Sequence, residues 1–157
     1  MSSSESSITA FNVADWFLAK AKEEYTELRH MKLQKLVYFA YGWYFAYFDQ
    51  PMFEETIYAW RHGPVVKELY DRFKLYDADP ITEDVPRRSF DTHAEGILDM
   101  VWKAYKQYTD TELRNTTHTH LPWILAFNSS EWNPVMSPVS IQSHFNKLLE
   151  TSSNVPH

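Results

Sequence analysis

Apolar residues along this chain recur mostly three and four positions apart, the interval of helices buried along one face. From Val13, the residues Trp16, Phe17 and Ala21 follow at offsets of three, four and eight. They predict a first helix from an N-cap at Thr9 to about Glu24. A second helix is predicted over about Lys32 to Phe48. Leu33, Leu36, Val37, Ala40, Tyr44 and Tyr47 form one stripe on it. Tyr38, Tyr41, Phe45 and Phe48 form a second, displaced by roughly a quarter turn at about 100° per residue. A helix apolar over so much of its circumference belongs at the centre of a fold. Gly42 and Ala46, beyond the second stripe, leave a shallow strip open to the close approach of another backbone.

Asp49-Gln50-Pro51 ends this helix, and the β-branched and aromatic residues between Phe53 and Trp60 predict a short strand. Gly63-Pro64 predicts a helix restart with proline at its first position, and Val65, Leu69, Tyr70 and Phe73 give that helix a buried face. Asp77 to Thr92, with Pro80, Pro86 and many charges, predicts a long surface loop or loose hairpin. Ile97, Leu98, Val101, Trp102, Tyr105 and Tyr108 mark another amphipathic helix. Thr109-Asp110-Thr111-Glu112 is a capping box that opens a short helix carrying Leu113 inward. Pro122-Trp123 starts a helical turn through Phe127, Pro134 and Pro138 bracket a loop, and a last helix runs from about Ser140. The expected fold is mainly α: one compact domain over residues 8–150, with six or seven helices and a strand or β-hairpin near 53–60. The polar, serine-rich segments 1–7 and 151–157 read as flexible tails.

Composition narrows the function. With 44% hydrophobic and 17% aromatic residues the chain can build its own core, and with no cysteine it has no disulfides, thiolate metal sites or cysteine nucleophiles. Neither a secretory leader nor a membrane span is legible, so a cytoplasmic protein is expected. The formal net charge of −6 disfavours nucleic acid as a partner. His118-Thr119-His120 could suggest a metal site or a small histidine-dependent hydrolase, but two residues apart they share a face only in a strand. The plainer reading of His118 is a helix-end histidine bonding the last carbonyls. Glu23-Glu24 and Glu54-Glu55 are adjacent carboxylates that point different ways, which suits solvated charge better than acid–base work. No nucleophile elbow, phosphate loop or dinucleotide fingerprint is present, and neither cofactor nor metal is expected.

Lys32-Leu33-Gln34-Lys35-Leu36-Val37-Tyr38-Phe39-Ala40-Tyr41-Gly42-Trp43-Tyr44, then Pro51-Met52-Phe53, then Ala59-Trp60-Arg61-His62-Gly63-Pro64-Val65, resemble the Panacea domain, the SocA-like antitoxin family. Downstream, Glu112-Leu113-Arg114, Thr117-His118 and Pro122-Trp123 look like a second family signature. Asp49-Gln50 stands where many relatives place a glycine turn, and His62 where an aromatic is frequent.

The resemblance implies a non-catalytic antitoxin that neutralises a protein toxin from a neighbouring gene by direct contact. An alternative is an adaptor that also delivers the toxin to a protease, with Met1 to Ser7 as the protease contact. It casts Lys32, Leu33, Gln34, Lys35, Trp60, Gly63, Pro64, Val65, Thr117, His118, Pro122 and Trp123 as architecture. Candidate partner contacts are Tyr38, Tyr41, Phe45 and Phe48 (a docking surface only if uncovered, otherwise core), with Arg61, His62 and Arg72. The acidic balance suits a basic, RNA-directed toxin.

Overall fold

Thr9 opens the first helix as expected, its hydroxyl accepting from the Asn12 amide at 3.1 Å. The computed structural model describes residues 7–154, so nearly all of the N-terminal tail, with its proposed protease contact, lies outside the described residues, as do positions 155–157. The elements are α1 (Ala10–Glu23), α2 (His30–Phe48), β1 (Ile57–Trp60), β2 (Gly63–Val66), α3 (Lys67–Phe73), a 3-10 turn (Lys74–Tyr76), α4 (Thr92–Tyr105), α5 (Asp110–Thr117), α6 (Leu121–Phe127) and α7 (Pro138–Asn154). The fold is mainly α with one antiparallel hairpin, as the hydrophobic periods predicted. The capping box at α5 is also present, with Thr109 and Glu112 bonding each other's backbone amides.

Apolar on nearly every side, α2 is the central element, packed against α1, α3, α4, α5, α7 and β2. Leu33, Leu36, Val37, Phe39 and Ala40 are buried on it. The strip at Gly42 admits a ring rather than a backbone: the Phe145 ring of α7 lies 2.2–2.5 Å from where a Cβ would stand. At the end of α2, Asp49 adopts the left-handed conformation (φ 54°), which Asp tolerates better than most residues. Its carboxylate accepts from Gln142 Nε2 at 2.5 Å, joining the end of α2 to α7.

The largest departure from expectation is at Gly63-Pro64, which lies in β2; α3 begins only at Lys67. Pro64 sits opposite Ala59, whose N–H turns away to the Pro134 carbonyl at 2.9 Å, so no donor is required of the proline. Met136 N–H bonds the Ile57 carbonyl at 2.8 Å, so the 134–136 segment covers the outer edge of β1.

Segment 77–91 has no regular structure but is held in place. Asp15, buried on α1, accepts from Arg72 at 2.8 Å and from Arg88 at 3.0 Å. Ile81 N–H bonds the Leu28 carbonyl at 2.9 Å, and Arg87 pairs with Glu23. The Glu23-Glu24 pair is divided between two partnerships, since Glu24 accepts from Trp102 Nε1 and Lys106 Nζ, both at 3.0 Å.

Candidate functional site

Three separate stretches of sequence meet at the hairpin turn. Gln34 and Lys35 enter from α2, Trp60 to Val65 form the turn and β2, and Thr117 to Trp123 come from the end of α5 and the start of α6. Gln34 grips the end of β2 through both halves of its amide: Oε1 accepts from Val66 N at 2.8 Å and Nε2 donates to Val66 O at 3.0 Å. Lys32 crosses to the end of α4, donating to the Lys106 carbonyl at 2.5 Å and the Tyr108 carbonyl at 2.6 Å. Such cations at exposed helix carbonyls stabilise the helix end.

The turn itself is fixed from both sides. Trp123 Nε1 donates to the Trp60 carbonyl at 2.9 Å, and the His118 Nε2–H donates to the Arg61 carbonyl at 3.0 Å. His118 also stacks on Trp123 (centroids 4.1 Å apart), which stacks on Phe127 at 4.6 Å. His118 therefore secures the turn rather than its own helix end. Trp60 Nε1 donates to Asn133 Oδ1 at 2.7 Å. Gly63 has φ 118°, a conformation that side-chain-bearing residues rarely adopt. A Cβ there would meet Lys35 Cε at 2.5 Å, Thr117 Oγ1 at 3.0 Å and Lys35 Nζ at 3.1 Å.

Lys35 thus lies directly under the turn, 1% exposed. Among the described residues its amine forms no hydrogen bond and no ion pair, and the charges acting on it are those of Asp110 and Arg114. Burial lowers its pKa to about 7 from 10.5; Asp110 opposes that shift and Arg114 reinforces it. Arg114 Nη1 donates to His62 Nδ1 at 3.3 Å, while its own Nε is buried without a partner. His62 is held below the ordinary histidine pKa by partial burial and then by Arg114, Arg61 and Lys35; His118 is lowered by partial burial, with Arg114, Lys35 and His62 adding to it and the bond to the Arg61 carbonyl opposing it.

The other expected contact residues lie elsewhere. Tyr38, Tyr41 and Phe45 are 1%, 4% and 9% exposed, and Phe48, partly buried, stacks on His93 at 4.2 Å, so the stripe packs into the core. Arg72 is committed within the molecule, bonding Asp15 and Glu83 and lying over the Phe11 and Phe73 rings. Arg61 and His62 are exposed. The two histidines of the 118–120 stretch do not converge. His120 is buried, with Nδ1 2.8 Å from the Tyr38 hydroxyl, and burial with the neighbouring His144 lowers its pKa to about 3. Among the described residues no group of three or more His, Cys, Asp or Glu stands close enough to hold a metal.

Sequence reasoning did not find the role of Arg114, nor that of α6, where Leu121, Leu125 and Phe127 are exposed, Leu121 and Leu125 along a groove against α7. The run Leu121-Pro-Trp-Ile-Leu-Ala-Phe127, apolar throughout, was the available signal.

The family model for the antitoxin SocA-like, Panacea domain matches residues 33–124, which run from α2 through the hairpin to the start of α6. The chain belongs to the SocA-like Panacea family. The match covers more than half of the sequence and takes in Gln34, Lys35, the turn from Trp60 to Val65, and Thr117 to Trp123. No curated protein and no solved structure matches the chain. The family is one of antitoxins, and a protein toxin is the kind of partner it implies. Among the described residues no helix is long and apolar enough to cross a membrane.

Proposed function

We propose that this Panacea protein neutralises a cognate protein toxin, encoded by a neighbouring gene, by direct stoichiometric binding in the cytoplasm and without catalysis. One observation carries the reading beyond family membership: separate parts of the family-like sequence converge to hold a single turn rigid, while Arg61 and His62 on that turn stay exposed. Rigidly mounted turns are common carriers of recognition residues, because little conformational entropy is lost when they dock. The same short helix α6 exposes Leu121, Leu125 and Phe127, Leu121 and Leu125 along a groove against α7, which adds apolar area of the kind interface cores use.

The test is co-expression with the product of the adjacent reading frame. Growth should be restored, and the two chains should elute as one complex. Arg61→Glu with Leu125→Glu should abolish both rescue and complex formation in a protein that still unfolds cooperatively. Growth rescue with no physical complex would refute the mechanism.

A further inference from the structure

The hairpin corner carries a charge pattern unlike the rest of the molecule. Arg29, Arg72, Arg87 and Arg88 each pair with a carboxylate. Arg61 and Arg114 have no such pairing among the described residues, and both lie at the corner with His62, His118 and Lys35. A chain with a formal net charge of −6 therefore gathers its unpaired arginines around one turn. Uncompensated donors point the same way. Lys35 as a residue is 1% exposed and its amine has no hydrogen-bond acceptor among the described residues, and Arg114 Nε is fully buried without one. Buried donors are ordinarily satisfied, and a charged one left alone is costly. Gly63 lets the amine reach the turn, since any side chain there would collide with Lys35 Cε.

We propose that this corner is a binding site for a single oxyanion, seated against the turn between the Arg114 guanidinium and the Lys35 amine, with His62 and His118 at its rim. The ligand class is the carboxylate or phosphoryl group, whose oxygens accept several charge-assisted hydrogen bonds at once. Asp110 on α5 is the acidic group acting on Lys35 and partly offsets its burial, while Arg114 acts on it from the cationic side. The site does not depend on the antitoxin reading and is tested without a toxin.

The probe is inorganic phosphate, titrated into protein labelled at the histidine rings, at a constant ionic strength of about 0.1 M so that general screening is unchanged. Sodium acetate is titrated in parallel. Saturable movement of the His62 and His118 resonances is expected, with proton uptake above neutral pH as the bound anion raises the pKa of the Lys35 amine. Arg114→Gln should weaken binding roughly tenfold or more, the loss expected for a hydrogen bond to a charged group. Lys35→Met should weaken it similarly and remove the proton uptake. Lys103→Gln, at an exposed cation on α4, should leave the affinity unchanged. Response to both anions supports a site for which a carboxylate suffices, and response to phosphate alone supports a phosphoryl site. Linear, non-saturating shifts, or equal affinity in the Arg114→Gln variant, overturn the proposal.

Discussion

The Lys35→Met substitution should stabilise the protein in buffer free of oxyanions. Methionine retains an unbranched chain that can lie under Gly63, while the buried amine is removed. The cost of that amine follows from its pKa. An ordinary value of 10.5 in the unfolded chain against about 7 in the fold amounts to roughly 5 kcal/mol at low pH, at about 1.4 kcal/mol per pH unit. The sign is set by proton binding. Because the folded pKa is depressed, the unfolded chain binds more protons between pH 7 and 10.5, so stability rises with pH across that window. Below it the full cost applies. Relaxation and water entry reduce the penalty in practice, and replacing buried charges with well-packed apolar groups gains about 1–4 kcal/mol. The melting temperature should rise by about 2–4 °C for each kcal/mol in a chain of this size. Urea unfolding at neutral pH and at about pH 9 measures the effect, with the wild type gaining about 2 kcal/mol between the two and the variant losing that dependence. A variant less stable than wild type at neutral pH, or one with the same pH dependence, would refute the claim that Lys35 is buried without a partner.

Four further outcomes are expected. Asp15→Asn removes the carboxylate shared by Arg72 and Arg88, costing about 3–5 kcal/mol and releasing segment 77–91; trypsin should then cleave after Arg87 and Arg88 markedly faster. Gly42→Ala forces a methyl against the Phe145 ring and should cost about 1–3 kcal/mol by urea unfolding, partly relieved by the double substitution with Phe145→Leu. Tyr38→Phe leaves His120 Nδ1 without its partner, at a cost of about 1–3 kcal/mol. His120 titrates near pH 3 in the fold against 6.5 ordinarily, so wild-type stability should fall as pH drops from 6.5 towards 3, and a His120→Gln variant should show a shallower fall in acid unfolding.

Helices were legible in the sequence wherever a local signal existed. Thr9 and the Thr109–Glu112 box act through bonds within a few residues, so their chemistry is visible in the letters alone. Pro64 misled because its ring satisfies two environments equally: the first turn of a helix and a strand position whose N–H is not needed. Only the tertiary bond from Ala59 to Pro134 decides between them. The aromatic stripe of α2 was ambiguous for the same reason. Tyr38, Tyr41 and Phe45 read alike as core or as docking surface until α7 and the Phe53 segment are placed over them. At the hairpin corner, Lys35, Gly63 and Thr117 lie far apart in sequence, and their contact is purely a product of the fold.

Lys35 raises a question that packing does not answer. If it served only to fill space under the turn, an apolar residue would do so without the penalty of an unpartnered amine, which is large against a net stability of about 5–15 kcal/mol for a typical domain. The surroundings are nevertheless built around it: Gly63 carries no side chain where one would strike Cε, and the neighbouring Gln34 fixes β2 through both amide atoms, so the turn cannot drift away. Destabilised, charge-bearing groups held by an otherwise rigid frame are characteristic of places where a protein meets something else. Partnering the amine from outside would recover the penalty on binding, so whatever brings the negative group would bind more tightly than its contact area alone provides.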